Sequence, residues 1–262
     1  MFRDLRGKNL VREHYEVAMS FLRSRVLNQS GIFGVVILGG IARGYSDKLS
    51  DIDIIVFTDK FSNVKIPKGE ISFKGCTIDI DVFFLDDEFK EAWSHEKRWA
   101  FSQVVIVHDP WGWIKKLLDS KLVFNDEERR EILIENSVQF DWYCPETIYK
   151  ESNSVAYQWV YRGDLISAHF AINTAIHHLF KVLFAINREF IPPEKWMLYC
   201  AYHLSWLPRG FKKCIQEAIL IREFTLEELE RRIKALRRLW KEILPRVEKE
   251  VGMPFSSFAK WV

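Results

Sequence analysis

The sequence lacks the features that would place it among secreted, metal-knuckle or membrane proteins. Its four cysteines, Cys76, Cys144, Cys200 and Cys214, form no Cys-x-x-Cys pair, which disfavours both a zinc knuckle and a disulfide framework. Reduced, mostly buried thiols in a cytoplasmic protein are expected instead. No segment approaches the roughly 20 consecutive apolar residues of a membrane span, and the N-terminus has no signal-peptide core.

An excess of charge of one sign is also absent. Lys and Arg total 38 and Asp and Glu total 36, so the net charge is +2 over 262 residues. Proteins that bind nucleic acid stably usually concentrate basic residues on one face, so stable nucleic-acid binding is not expected. The basic run at 230–243 is interpreted as the solvated face of a helix.

Apolar residues are plentiful, and their spacing changes along the chain. After a predicted amphipathic helix at 9–28, short β-branched runs predict strands at 32–38, 52–57, 77–85 and 104–107, with a hairpin candidate between 64–66 and 71–73. After about residue 112, helical spacing predicts long helices at 126–141, 154–187, 193–204 and 226–251. The pattern therefore predicts a domain of strands and helices at 1–112 and a helical domain at 113–262.

Two glycines and two aspartates follow the first predicted strand. Without Cβ atoms, Gly39 and Gly40 let the backbone bend sharply and let an anion approach its N–H groups. Asp51 and Asp53 are separated by one residue, so on a strand their carboxylates share one face. Two such charges repel each other unless a cation lies between them, and Mg²⁺ commonly uses one or two carboxylates together with substrate phosphates.

A second acidic pair lies in the strand predicted at 77–85. Asp79 and Asp81 share one face of this otherwise apolar strand, where unpaired acids are costly. Each pair alone is also compatible with a solvated edge strand or a helix cap. Both pairs together, in chain order after a Gly-Gly turn, favour a common cation site.

This set of motifs resembles the nucleotidyltransferase signature of the DNA polymerase beta superfamily. The match covers about residues 32–85 and is most similar to minimal nucleotidyltransferases and antibiotic-modifying enzymes. The resemblance implies an α+β fold, with a polymerase-beta-like catalytic domain of mixed sheet and helices followed by an all-α helical bundle. Gly40 departs from the pattern, because Ser is commoner there. Its phosphate contact must therefore come from backbone N–H groups or from Arg43.

The resemblance also implies a role for each matching residue. Asp51, Asp53 and Asp79 are expected to be catalytic and to hold two Mg²⁺ ions, with Asp81 as the second choice for the third acid. The expected nucleotide-binding residues in this half are Gly39, Gly40, Arg43 and Ser50.

The helical half resembles the C-terminal domain of lincosamide- and aminoglycoside-type nucleotidyltransferases at 162–164, 183–188 and 192–196. This likeness implies that the helical domain binds the acceptor. It also implies that Lys195 reaches the triphosphate, and that Asp164 meets a cationic acceptor or takes its hydroxyl proton. Simpler interpretations stay open, in which Lys195 is a surface residue of a first helical turn and Asp164 is an N-cap.

Three histidines of the helical half, His169, His177 and His178, are interpreted as core or interface residues. A metal site would need more ligands at closer spacing.

The predicted function is transfer of a nucleoside monophosphate from an NTP, expected to be ATP, to a hydroxyl of a small acceptor. The acceptor is expected to be aminoglycoside- or lincosamide-like, with two Mg²⁺ ions assisting and pyrophosphate released. Two alternatives stay open: a toxin-like enzyme that modifies tRNA or a protein, and an inactive nucleotide-binding interaction module. A basic stripe across the cleft of the folded protein would favour the first alternative. No membrane partner is expected, and a homodimer through the helical half is left open.

Overall fold

The computed structural model describes residues 8–144 and 153–259. The chain divides between Val123 and Phe124 into two compact units. The sequence pattern predicts the domain boundary at residue 112. The helix at Trp113–Lys121, which this prediction assigns to the second domain, contacts the sheet of the first unit.

The first unit is built on a mixed sheet of five strands. These are β1 (Ile32–Ile37), β2 (Ile52–Thr58), β3 (Gly69–Phe73), β4 (Cys76–Phe84) and β5 (Val105–His108). Their order across the sheet is β3-β4-β2-β1-β5. Strands β2 and β4 run parallel, and the other neighbouring pairs run antiparallel. The predicted α+β fold is confirmed.

Between residues 8 and 123 this unit has five helices: α1 (Val11–Arg25), α2 (Gly39–Ala42), α3 (Leu85–Lys90), α4 (His95–Phe101) and α5 (Trp113–Lys121). The alternation of side chains along the strands gives the sheet two apolar faces. Ile54 and Ile80 pack with residues of α1 on one face. Ile55 and Phe57 lie on the other face, in a cluster that includes residues of α4 and α5.

The predicted hairpin between 64–66 and 71–73 is wrong, because 64–66 is not a strand. Strand β3 pairs instead with β4 through the turn at Lys74-Gly75, where φ is 50° and 79°. Left-handed conformations at both central residues match the twist of the flanking strands. The turn chemistry at these two residues therefore selected the partner.

The second unit consists of helices among its described residues. They are α6 (Asp126–Tyr143), α7 (Val155–Tyr161), α8 (Leu165–Ile186), α9 (Glu194–Ala201), α10 (Phe211–Ile219), α11 (Leu226–Val251) and α12 (Phe255–Phe258). Helix α8 is central, because it contacts α6, α7, α9, α10 and α11. The single helix predicted at 154–187 is interrupted at Gly163, whose φ of 78° ends α7. No helix in the described parts of either unit is both long and apolar enough to cross a bilayer.

One of the three histidines, His169, has core contacts that fix its protonation. The Arg232 guanidinium is completely buried and donates to the His169 carbonyl oxygen at 2.7 Å and to Nδ1 of His169 at 3.1 Å. The other ring nitrogen, Nε2, donates to the Thr225 carbonyl oxygen at 3.1 Å, so the ring is neutral. Burial lowers the pKa of His169, and burial lowers that of His178 to about 4. The interpretation as core histidines is confirmed for His169.

Candidate active site

Two of the predicted site aspartates lie side by side in the sheet. Asp53 of β2 and Asp79 of β4 are partners in the parallel ladder, and residues in register on neighbouring strands point to the same face. Neighbouring strands lie about 4.8 Å apart, which sets the approximate distance between the two Cα atoms. Both side chains are half-buried, so the two carboxylates face a partly shielded space.

The other two predicted acids flank this pair along the strands. Asp51 precedes the first residue of β2 and is exposed. Asp81 is exposed, is the ladder partner of Ile55, and follows Asp79 by two residues on the same face. The isoleucines between the acids point to the opposite face and are buried against α1. This apolar anchoring explains how the strands hold several carboxylates on one side.

The Gly39 backbone closes one side of the Asp53 carboxylate. The N–H of Leu38 donates to the Asp53 carbonyl oxygen at 3.0 Å, which holds the end of β1 against β2. A Cβ atom at Gly39 would lie 1.9 Å from Oδ2 of Asp53, and the φ of Gly39 is +60°. Only glycine fits this position without displacing the carboxylate.

Gly40 is required for a different local reason. A Cβ atom there would lie 2.3 Å from the carbonyl oxygen of Tyr45. The Tyr45 N–H in turn donates to the Gly40 carbonyl oxygen at 2.9 Å. Helix α2 therefore folds tightly back on the loop that follows it. The serine that is commoner in similar sequences would need this loop to move.

Arg43, predicted to bind the nucleotide, is held by α4. Its exposed fraction is only 7%. The guanidinium donates to the Trp99 carbonyl oxygen, and its Cζ lies 3.6 Å from the centroid of the Trp99 ring. This contact fastens α2 to α4 and so positions the two glycines. The nucleotide-binding role of Arg43 stays a prediction.

Replacing Arg43 with Lys is expected to destabilise the protein by about 1–2 kcal/mol. Lysine keeps the charge but loses the planar stacking and the forked donors of a buried guanidinium. Urea unfolding of both proteins measures the difference. Arg12→Lys is the matched control, because Arg12 forms an exposed i,i+4 ion pair with Glu16, a type of pair that contributes about 0.5 kcal/mol or less. Equal effects of the two substitutions would contradict a structural role for the Arg43 contact.

Ser50 belongs to a loop organised by the Asp47 carboxylate. The Ser50 hydroxyl donates to Oδ1 of Asp47 at 3.2 Å and accepts from the Asp47 N–H at 3.0 Å. Hydrogen bonds from the Leu49 N–H and the Tyr45 hydroxyl hold the pKa of Asp47 below its usual range. Ser50 therefore shapes the approach to Asp51. Its predicted contact with the nucleotide is a separate hypothesis.

The remaining predicted residues lie in the second unit. Lys195 is exposed in the first turn of α9. Asp164 is the N-cap of α8, with Oδ1 accepting from the Ser167 N–H at 2.9 Å and Oδ2 accepting from the Ser167 hydroxyl at 2.6 Å. These two bonds hold the pKa of Asp164 below its usual range. A carboxylate stabilised in this way is a weak proton acceptor.

Glu70 is a carboxylate of this face that sequence reasoning missed. It is the ladder partner of Asp79 on the opposite side from Asp53. Glu70, Asp79 and Asp53 therefore form one row across β3, β4 and β2, and Glu70 is exposed on the edge strand. The alternation of polar and apolar residues at 69–73 and the turn at Lys74-Gly75 are visible in the sequence, but the register that pairs Glu70 with Asp79 is set in the folded sheet.

The donor set fits a divalent cation. Mg²⁺ prefers oxygen ligands and accepts one or two carboxylates with substrate phosphates, and Asp53 and Asp79 supply two adjacent carboxylates. Within 8–144 and 153–259, no group of three or more His, Cys, Asp or Glu side chains already surrounds a common point. The pair next to Gly39 is thus the best candidate for the cation site.

Comparison with known protein families identifies similarity to nucleotidyltransferases. The family model described as a nucleotidyltransferase domain matches residues 20–135. A similar solved structure is that of a nucleotidyltransferase-like protein from Exiguobacterium sibiricum 255-15, with 12% identity and a TM-score of 0.48. That likeness covers 91% of this chain and 78% of the other. A comparison with curated proteins finds no match.

Proposed function

We propose that this chain, whose residues 20–135 match the family model described as a nucleotidyltransferase domain, transfers a nucleoside monophosphate from ATP to a hydroxyl of a small acceptor. The observation that carries the proposal is the ladder pairing of Asp53 with Asp79, where the Asp53 carboxylate lies directly against the backbone of Gly39. An inactive binding module has no need of such an arrangement, since adjacent carboxylates without a cation are unfavourable.

Asp53 and Asp79, together with Asp51, are the residues proposed to hold Mg²⁺. Two bound ions would neutralise charge on the attacking and leaving oxygens. The first N–H groups of a helical turn have no partner within the turn, so the N–H groups at Gly39 and Gly40 are proposed to receive phosphate oxygens. These groups fix the triphosphate in line with the acceptor.

In the proposed reaction the acceptor oxygen forms a bond to the α-phosphorus. The bond from that phosphorus to the bridging oxygen breaks, and pyrophosphate leaves with the electron pair. The hydroxyl proton passes to a carboxylate on the same face. Asp81 suits this task better than Asp164, whose cap hydrogen bonds make it a weak base.

The small acceptor is proposed to be hydroxylated and cationic, like an aminoglycoside. Glu70 and Asp81 are exposed carboxylates beyond the pair proposed to hold Mg²⁺, and their charge attracts amino groups. A macromolecular acceptor such as tRNA is the second candidate. The clustered basic residues of α11, which are Lys234, Arg237, Arg238 and Lys241, favour it.

Thermal unfolding with each of the four nucleoside triphosphates tests the donor site. We expect one of them, ATP first, to raise the midpoint only when Mg²⁺ is present, because a ligand bound by the native state stabilises it by mass action. At a hundred times the dissociation constant the gain is about 2.7 kcal/mol.

Asp53→Asn is the control for this shift, because it removes a proposed ligand charge and keeps the side-chain shape. The shift should disappear in Asp53→Asn and persist in Asp119→Asn, which changes an exposed acid of α5. A shift that survives in Asp53→Asn, or that needs no Mg²⁺, contradicts the proposed site.

A further inference from the structure

Helix α11 and helix α7 form a groove within the second unit, with a volume of about 500 Å³. Tyr157 of α7 forms one wall, and Ile233 of α11 contributes apolar surface. Four basic residues of α11 complete the lining: Lys234, Arg237, Arg238 and Lys241. These residues define what we call the α11 groove.

The four cations lie on one face because of their spacing. Residues 234, 237, 238 and 241 are three or four apart, and such residues are neighbours on a helix surface. One acid, Glu230, also lines the groove, and Glu217 forms an ion pair with Arg238. Lys234 is exposed, with no ion-pair partner among the described residues. The near-neutral net charge of the whole chain therefore conceals a local concentration of positive charge.

The groove combines this charge with an aromatic and an apolar surface. Tyr157 is half-buried, and a tyrosine ring offers a face on which a base can stack. Cations beside such a ring are typical of surfaces that bind single-stranded nucleic acid, where phosphates meet Lys and Arg and bases stack on aromatic rings. We propose that the α11 groove binds a single strand of RNA through its phosphates and one stacked base.

This binding does not require the transfer reaction, since all the residues concerned lie in the second unit. The interpretation of the basic run as a solvated helix face accounts for its exposure. That interpretation does not explain why four basic residues line a groove together with Tyr157.

Fluorescence anisotropy of a labelled oligoribouridylate with the full chain tests the proposal. Binding should weaken with salt, with a slope of log affinity against log salt of about −2 to −3 for three to four phosphate contacts. Lys234→Ala should weaken binding about fivefold at 0.1 M salt, the loss of one such contact. Tyr157→Leu keeps apolar bulk and removes the ring, and should weaken binding about fivefold to a hundredfold.

Lys249→Ala is the matched control, because Lys249 is exposed on the same helix outside the groove. It should leave binding within about twofold of the parent. Asp53→Asn should bind RNA with the affinity of the parent, because Asp53 lies outside the α11 groove. RNA binding can therefore be judged separately from the proposed transfer reaction. Absence of binding at low salt, equal weakening by Lys249→Ala, or tighter binding of an acidic peptide than of RNA would each overturn the proposal.

Discussion

Asp53→Asn is expected to lower the rate of nucleotidyl transfer by about a thousandfold or more. The substitution keeps the shape of the side chain and removes the charge proposed to hold Mg²⁺. It thereby leaves Asp79 without a second carboxylate beside it in the β2–β4 ladder. Pyrophosphate release with ATP and a set of hydroxylated acceptors, including aminoglycosides and tRNA, measures the loss.

The same substitution is expected to leave the fold intact. Adjacent carboxylates repel each other when no cation is bound, so removing one charge should leave the unfolding midpoint of the metal-free protein unchanged or raise it. Asp51→Asn should behave in the same way. Asp119→Asn serves as the matched control, because it makes the same chemical change on the exposed surface of α5. A normal rate of nucleotidyl transfer by Asp53→Asn or Asp51→Asn would contradict the two-ion mechanism.

Gly39→Ala is expected to lower transfer by about a hundredfold or more. The new methyl group would lie 1.9 Å from Oδ2 of Asp53, so the carboxylate must turn away from its present position. Misplacing a reacting or ligating group by about 1 Å commonly costs about a hundredfold in rate. Steady-state rates of pyrophosphate release compare the variant with the parent.

Gly44→Ala is the matched control for this substitution. Gly44 also has a left-handed φ, +83°, but a Cβ atom there would meet no other atom within 4 Å. Both variants should lose about 1–2 kcal/mol of stability, the cost of an L-residue in this conformation. Only Gly39→Ala should also lose the Mg²⁺-dependent shift with ATP. Equal activity of the two variants would show that the Gly39 contact with Asp53 does not matter for the site.

Secondary structure was predicted well from the sequence where the spacing of apolar residues kept a helical or strand period over the whole element. Helix α11 has the predicted bounds, and β1, β2, β4 and β5 lie within one or two residues of the predictions. The prediction of one long helix at 154–187 was wrong at Gly163. The left-handed conformation of this residue ends the first helix, although the apolar pattern continues on both sides. A hydrophobic pattern is read over many residues, so it is insensitive to a single residue that ends a helix.

What the sequence determined by itself was the alternation that places Asp51 with Asp53, and Asp79 with Asp81, on common faces, since a period of two is encoded in consecutive residues. Only the tertiary structure decided that Asp79 stands beside Asp53, that Glu70 extends this row, and that Arg43 stacks on Trp99. The contacts of Asp53 with Asp79 and of Arg43 with Trp99 join residues far apart in the chain, and strand register depends on the packing of whole elements.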